Sequence, residues 1–165
     1  MSDEQEFTRF AVALGMASFQ AQSLEHSLVS LFAATFVLER GAWEPRVRML
    51  MDTRYNQTLG KLIRDAANEL HLTAELTIEL EDALKKRNWV THHFFREYGA
   101  IGLSSSLLYE ATQRLEAIWP MFETTANKVH RLVIEQQVRS GRSEEQIQAG
   151  IERALKAYLS EKEHT

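Results

Sequence analysis

The sequence predicts an all-α protein, an up-down bundle of about four to six helices with an extra helix at its C-terminal end. Apolar residues recur at alternating intervals of three and four along most of the chain, which is typical of helices packed lengthwise against one another. No segment alternates polar and apolar residues in the way a half-buried strand does. Capping and turn residues divide the chain into separate helices.

The first predicted helix carries an apolar seam that begins at Phe7 and is widened by a second set of apolar residues. Because the combined stripe is broad, we expect the helix to contact at least two neighbours. Roughly 32 residues rising about 1.5 Å each give a length of about 48 Å. The seam consists of Phe7, Phe10, Leu14, Ala17, Ala21, Leu24, Leu28, Leu31, Thr35 and Leu38. The flanking set consists of Val12, Met16, Phe19, Phe32 and Phe36.

Two shorter helices, or one bent helix, are predicted next. Gly41 is suited to end the first helix, and Glu44-Pro45 to begin the next one, since proline is tolerated in a first helical turn. The helical pattern from 46 to 70 is interrupted near Tyr55 and Asn56. We expect its second half to begin at Asn56 or Thr58.

A third helical region is expected to be capped by Thr73 and to keep its apolar stripe as far as Phe94. Arg87 lies in phase with this stripe. A turn is predicted at 98–102, and Ser104 or Ser105 then begins a long helix in which Pro120 should produce a kink. The stripe of the third region consists of Leu76, Leu80, Ala83, Val90 and Phe94. The seam of the long helix consists of Leu108, Ala111, Leu115, Ile118, Phe122, Thr125, Val129 and Leu132.

The last predicted helix follows a capping box, Ser143-Glu144-Glu145-Gln146. It either packs on the bundle or binds a partner. The length of the chain is sufficient for one core, so we interpret it as a single domain in which 1–140 form the bundle and 141–165 the C-terminal helix. The residues predicted to face inward from the last helix are Ile147, Ile151, Leu155 and Tyr158.

Composition excludes several classes of protein. The chain has no cysteine, so disulfides, thiolate zinc sites and cysteine nucleophiles are excluded, and a cytoplasmic location is the simplest expectation. The acidic N-terminus does not resemble a signal peptide, and the longest apolar run, 28–38, is shorter than the roughly 20 residues of a membrane span. The only Glu-x-x-His spacing, Glu161 to His164, does not suit a di-iron bundle, so we predict no metal and no cofactor.

The charge of the chain bears on whether it binds nucleic acid, and it points in two directions. A formal net charge of -4 and a pI near 5.9 argue against a dedicated nucleic-acid-binding protein, which usually presents a strongly basic face. Basic residues nevertheless gather at 85–87 and at Arg96. A local basic surface is therefore compatible with the overall acidic balance.

The segment Arg87-Asn88-Trp89-Val90-Thr91-His92 is the candidate site. An unpaired polar group on a buried helix face costs about 1 to 3 kcal/mol of stability. Polar residues in this segment are therefore expected to be paired or to serve a function. On an ideal α-helix Asn88 and His92 are neighbours on one face, and Arg87 lies one residue round. An amide can orient an imidazole, and a guanidinium can hold a phosphate in its planar fork. These residue types suit acid-base chemistry beside a phosphodiester.

The same segment resembles the motif of the HEPN superfamily, an Arg separated from a His by four to six residues, often with a polar residue after the Arg. The gap here is four residues if His92 is the partner and five if it is His93. An all-α bundle of this size is also similar to that family. The resemblance covers the bundle at 1–140 and depends on a short motif.

The resemblance implies a metal-independent endoribonuclease that acts as a homodimer on single-stranded RNA. It also implies a role as the toxin of a toxin-antitoxin or phage-defence system, restrained by an antitoxin or regulatory protein. It implies that His92 acts as general base or acid, that Arg87 stabilises the phosphorane-like transition state and that Asn88 orients the ring. His93 is the alternative histidine. The residues expected to bind the substrate are Lys85, Lys86 and Arg96.

Structural roles remain open for each of these residues. Arg87 in phase with the core suits an ion pair with Glu25 or Glu39 of the first helix, and His92 suits a bond to a backbone carbonyl or to Asn88. The nearby aromatic residues can stack on a nucleobase, although aromatics at helical spacing more often belong to the core. These aromatics are Trp89, Phe94, Phe95 and Tyr98. The alternative functions are therefore a non-catalytic dimerisation or regulatory module and a nucleotide-phosphate-binding protein.

Overall fold

The regular structure of this protein is helical. The computed structural model describes residues 3–40, 44–150 and 152, and these residues contain no strand, which confirms the predicted all-α fold. A π-helical turn lies at Trp89–His93 and a 3₁₀ turn at Ile101–Leu103. The α-helices are α1 (Asp3–Arg40), α2 (Glu44–Tyr55), α3 (Leu59–Glu69), α4 (Ala74–Asn88), α5 (Phe94–Glu97) and α6 (Ser105–Arg139). A further helical segment occupies 144–150.

Side-chain caps begin three of these helices at positions that the sequence predicted. Thr58 accepts the Lys61 amide at the start of α3, and Thr73 accepts the Leu76 amide at the start of α4. Ser104 caps α6 in the same way. Each cap satisfies an amide that has no partner within the first helical turn. The predicted break near Tyr55 is confirmed, whereas Gly41 lies outside the described residues.

The three long helical regions alternate in direction. Arg9 of α1 binds Glu116 of α6 at 2.6 Å, and further along both helices Leu31 and residues 128–139 line one groove, so α1 and α6 run parallel. The region formed by α4, the π turn and α5 runs the other way. Its end stacks Phe94 on Phe10 near the start of α1. The most extensive contact between helices is that of α1 with α6.

The core follows the predicted seams with corrections on α1. The residues in the middle of the α1 seam and those of the α6 seam are buried or nearly so. Four predicted inward positions on α1 are wrong, because these side chains are exposed: Phe7, Val12, Phe19 and Leu38. For Val12 and Phe19 the reason is that α2, the second neighbour of α1, packs back only as far as His26, whose ring stacks on Tyr55. The first half of α1 therefore keeps one face uncovered.

The segment after α6 begins with the predicted capping box. The Ser143 hydroxyl accepts the Gln146 amide at 3.2 Å, and the Gln146 side chain accepts the Ser143 amide at 3.0 Å. Ile147 is 6% exposed, so the first inward residue of this helix is confirmed. Ile151, Leu155 and Tyr158 lie outside the described residues. Helix α6 itself is unbroken at Pro120, and the kink predicted there stays a prediction.

The turn between α3 and α4 contains a residue in an unfavourable conformation. His71 has φ = 51°, a left-handed value that its Cβ disfavours. It follows the last residues of α3, where the Leu70 amide donates to the Ala66 carbonyl. Helices commonly end with one left-handed residue at this position, and glycine is the residue that occupies it without steric cost.

We expect His71→Gly to raise the free energy of unfolding by up to about 1 kcal/mol, because glycine removes the Cβ strain while adding some entropy to the unfolded chain. Urea unfolding measures the difference. The matched control is His71→Ala, which removes the imidazole but keeps the Cβ. If the alanine variant gains as much as the glycine variant, the backbone conformation is not the cause.

Candidate functional site

The candidate segment is not an ordinary α-helix. Its residues 89–93 form a π turn in which the Phe94 amide donates to the carbonyl of Trp89, five residues earlier. The ideal α-helical geometry assumed for this segment from the sequence is therefore wrong. A π turn inserted in an α-helix is uncommon and is found frequently at functional sites. The Thr91 hydroxyl donates to the Arg87 carbonyl at 2.9 Å, so a side chain bonds the backbone inside this widened turn.

The wide turn makes residues four apart share a face. Val90, Phe94 and Tyr98 are all buried and point toward the core. Arg87, Thr91 and Phe95 line a groove against α1. Residues 88, 92 and 96 each follow one of the groove residues by one position. They therefore share a third side of the helix, which faces neither the core nor the groove. His92 and Arg96 are exposed, and Asn88 is half-buried.

Arg87 is held at the rim of the groove by two neighbours. Its guanidinium lies 3.3 Å from the Glu25 carboxylate of α1 and donates to the Asn88 side-chain oxygen at 3.4 Å. The Arg87 and Glu25 side chains are 31 and 32% exposed. The partner is thus one of the two acids that the sequence offered for a structural role, while solvent still reaches the guanidinium.

Within the described part of the chain, His92 and His93 lack the hydrogen bonds that a structural histidine would form. His92 and His93 are both exposed, and neither accepts or donates a hydrogen bond among the described residues. Asn88 directs its oxygen to Arg87, and no hydrogen bond joins it to His92. The geometry consequently brings Arg87 and Asn88 together, whereas His92 lies on the neighbouring side of the helix and does not line the groove that Arg87 lines. Both histidine rings are accessible to a substrate.

The groove beside Arg87 has a volume of about 330 Å³ and lies between α1 and the π turn. Leu14 and Ala21 form an apolar part of its wall, while Ser18 and Gln22 contribute polar atoms to the lining. Phe95 is 63% exposed at the same groove. A groove with a cation at one rim and an accessible aromatic ring at another suits a phosphate joined to a planar base.

The three basic residues predicted to bind a substrate differ in availability. Lys86 bonds Asp82 and contacts the Met121 sulfur, so its ammonium is already engaged. Lys85 and Arg96 are exposed and form no ion pair with the described residues. Two of the three side chains therefore remain available to a phosphate backbone.

Most of the aromatic residues near the motif belong to the core. Phe94 and Tyr98 are 0 and 3% exposed, and Trp89 packs edge-on against both. Burial raises the pKa of the Tyr98 phenol, which donates to Glu110 at 2.9 Å. Of the four candidates for base stacking, Phe95 is the one whose ring is largely exposed.

A cluster that the sequence did not indicate ties the π turn to α6. Arg114 of α6 lies 3.9 Å above the Trp89 ring and donates to Glu97 at 2.9 Å. The Trp89 indole N–H donates to the same carboxylate. These contacts restrain Trp89, which begins the π turn, and thereby the position of the residues that follow it. Nothing in the local spacing of Arg114 points to this role.

Comparison with protein-family models, with curated proteins and with solved structures finds no match for this chain. Within the described ranges, no helix is both long enough and apolar enough to cross a membrane. The same residues contain no group of three His, Asp or Glu side chains placed to hold a metal ion. The function must consequently be argued from the site itself.

We expect the Arg87–Glu25 ion pair to contribute at most about 1 kcal/mol to stability, because both side chains are partly solvated. A double-mutant cycle with Glu25→Gln, Arg87→Ala and the double variant, unfolded in urea, measures the coupling. The single variants should remain folded. A coupling above about 3 kcal/mol would indicate a fully buried pair and a structural role for Arg87.

Proposed function

We propose that this protein is a metal-independent endoribonuclease of the HEPN type that cleaves single-stranded RNA. The observation that carries the proposal is the π turn at Trp89–His93, which follows Arg87 closely in the chain and contains His92. It is accompanied by an arginine held at a groove and by an exposed histidine with no hydrogen-bond partner among the described residues. Because the exposed His92 ring forms no hydrogen bond with the described residues, both of its nitrogens are open to a substrate.

In the proposed reaction, neutral His92 accepts the proton of a ribose 2′-hydroxyl. The 2′-oxygen then attacks the adjacent phosphorus, and the bond from phosphorus to the 5′-oxygen breaks. A proton passes to the leaving oxygen, and the product carries a 2′,3′-cyclic phosphate. General acid-base catalysis by histidine typically contributes about 100 to 10,000-fold to such a rate.

Arg87 is assigned the role of stabilising the negative charge that grows on the phosphoryl oxygens. A fixed cation lowers the barrier when its interaction is stronger in the transition state than in the ground state. The hydrogen bond that Arg87 donates to Asn88 and the ion pair with Glu25 fix the direction of the guanidinium before substrate binds. In this assignment Asn88 positions Arg87 rather than His92.

Substrate binding is assigned to side chains around the groove. Phe95 offers an exposed ring on which a base can stack, a contact that tolerates any base. Lys85 and Arg96 supply positive charge for the backbone, as expected from the sequence. A short basic surface of this kind is compatible with weak, salt-dependent binding by a chain of net charge -4.

We further infer that two copies assemble through the uncovered face of α1. Val12 and Phe19 lie on this face, and at about 100° per residue it adjoins the groove residues Ser18 and Gln22. Exposed apolar residues gathered beside a polar groove are typical of an interaction surface. Such a dimer would place two Arg87 grooves near one interface. We also propose that the ribonuclease is a cytoplasmic toxin that an antitoxin restrains.

One observation favours the alternative of a non-catalytic helical module. Glu25 lies 3.3 Å from Arg87 and competes with a phosphate for its guanidinium. In that case the ion pair stabilises the bundle and the uncovered face of α1 serves dimerisation or regulation alone. A nucleotide-phosphate-binding protein would instead use Arg87 without cleavage.

We expect the wild-type protein to cleave a mixed-sequence single-stranded RNA in EDTA and to leave cyclic phosphate ends. Arg87→Ala and His92→Ala should each lower the rate by about 100-fold or more, since each removes a group acting on the reacting phosphate. Gel analysis with end-group determination measures rate and product. His93→Ala identifies which of the adjacent rings reacts.

Matched controls are provided by His130→Ala and Arg64→Ala, because both residues are exposed and lie outside the candidate segment. Their activity should equal that of the wild type. If every folded variant cleaves equally, the activity does not belong to the proposed site and the assignment of Arg87 and His92 is wrong. If no protein cleaves but nucleotides raise the melting temperature of the wild type, the binding alternative is correct.

We expect Phe19→Glu to convert a dimer to a monomer, because an exposed aromatic ring at an interface is replaced by a charge that would have to be buried. Sedimentation velocity or light scattering measures the mass. Ile78→Glu is the control, since Ile78 is also an exposed apolar residue but lies on α4. A wild-type monomer at all accessible concentrations would contradict the dimer.

A further inference from the structure

A second cavity lies away from the Arg87 groove, between α1, α2, α6 and the helical segment at 144–150. Its volume is about 570 Å³, within the range of roughly 300 to 1,000 Å³ that small-molecule sites occupy. We call it the C-terminal cavity. Short side chains on α1 make the room, since Ser27, Ser30, Ala33 and Ala34 all line it. The proposed ribonuclease reaction uses none of these residues.

The walls of the C-terminal cavity are predominantly apolar. Ile147 closes one side, and its own burial shows that the segment after α6 packs against the cavity. The remaining apolar side chains come from three helices, so the cavity is built by the tertiary fold rather than by one surface. These side chains are Val37 of α1, Val47 and Met51 of α2, and Val133 and Ile134 of α6.

The polar residues of the cavity favour an anion. Arg142, His26 and His130 line it, and no Asp or Glu from the described part of the chain does so. The Arg142 side chain is exposed and has no ion-pair partner among the described residues. The groove between α4 and α6 differs, because Glu75, Glu79 and Glu135 line it beside its cations. A cationic and imidazole-bearing rim without acids is unusual in a chain of net charge -4.

The His26 ring is held at this rim by Tyr55. Its Nδ1 shares a hydrogen bond with the Tyr55 hydroxyl, and the two rings stack with centroids 6.0 Å apart. Nε2 is therefore the ring nitrogen that Tyr55 leaves open to a ligand in the cavity that His26 lines.

We propose that the C-terminal cavity binds an amphipathic small molecule that has an unbranched apolar chain and a carboxylate. The apolar chain lies against the residues of α2, α6 and the 144–150 segment, and the carboxylate is bound by Arg142 and His26. The planar fork of arginine donates two parallel hydrogen bonds to a carboxylate, and it can do the same to a phosphate, which the experiment below separates. The apolar walls exclude a fully polar anion.

Isothermal titration calorimetry with decanoate tests the proposal on the full-length protein. A ligand of this size is expected to bind with a Kd of roughly 10 to 100 µM. Decanol and decyltrimethylammonium have the same chain without the anion and should bind at least about tenfold more weakly. Decyl phosphate separates a requirement for a carboxylate from a requirement for negative charge alone.

Two substitutions assign binding to this cavity. Arg142→Ala should weaken decanoate binding by about tenfold or more, since it removes a charge-assisted hydrogen bond. Arg139→Ala is the matched control, because Arg139 is also exposed near the end of α6 but lines the other groove. Ser30→Leu should weaken decanoate and decanol alike by filling the cavity. Circular dichroism verifies that each variant is folded.

The proposal is wrong if the wild type shows no binding up to about 1 mM decanoate, far above the expected Kd. It is also wrong if decanol binds as tightly as decanoate, or if Arg142→Ala and Arg139→Ala have equal effects. Tighter binding of decyl phosphate than of decanoate would overturn the assignment of a carboxylate. RNA cleavage is measured separately, so the outcome does not depend on the proposed ribonuclease activity.

Discussion

The lengthwise packing of α1 against α6 is the interaction on which the remaining structure depends. Small buried residues on both helices, including Ala17 and Ala111, allow a close approach over several turns. This pair supplies the largest part of the core and leaves room along one side for α4 and its continuation. The π turn, the Arg87 groove and the C-terminal cavity are all formed where another segment meets this pair.

The position of the candidate site follows from that arrangement. Glu25 of α1 and Arg114 of α6 reach the motif region from opposite sides, one holding Arg87 and the other restraining Trp89. The motif is thus fixed by both long helices, while His92 stays on the outward side. Rigid support around an accessible side chain is what the proposed acid-base role of His92 requires. Changes in α1 or α6 are expected to affect the site without contacting a substrate.

Most of the fold could be predicted from the sequence, because the seams, caps and turns depend on local spacing. Thr58, Thr73 and Ser104 cap helices as their residue types suggest. The exposure of Phe19 could not be predicted, since burial depends on where a neighbouring helix ends. The three-four spacing also gives no sign of the π turn, because the burial of Val90 and Phe94 suits an α-helix equally well. The sequence therefore singled out the segment that contains the π turn, but the geometry of that segment required the structure, and the functional role of its residues stays a prediction.

The parallel course of α1 and α6 also affects how the chain reaches its folded state. Arg9 and Glu116, which meet across the two helices, are separated by 107 residues in the sequence. In a simple helical hairpin the packed helices are adjacent in the chain, whereas here most of the chain must be ordered or looped out between them. Folding rates fall as contacts become more distant in sequence. This all-helical protein is consequently expected to fold more slowly than bundles whose neighbouring helices are consecutive.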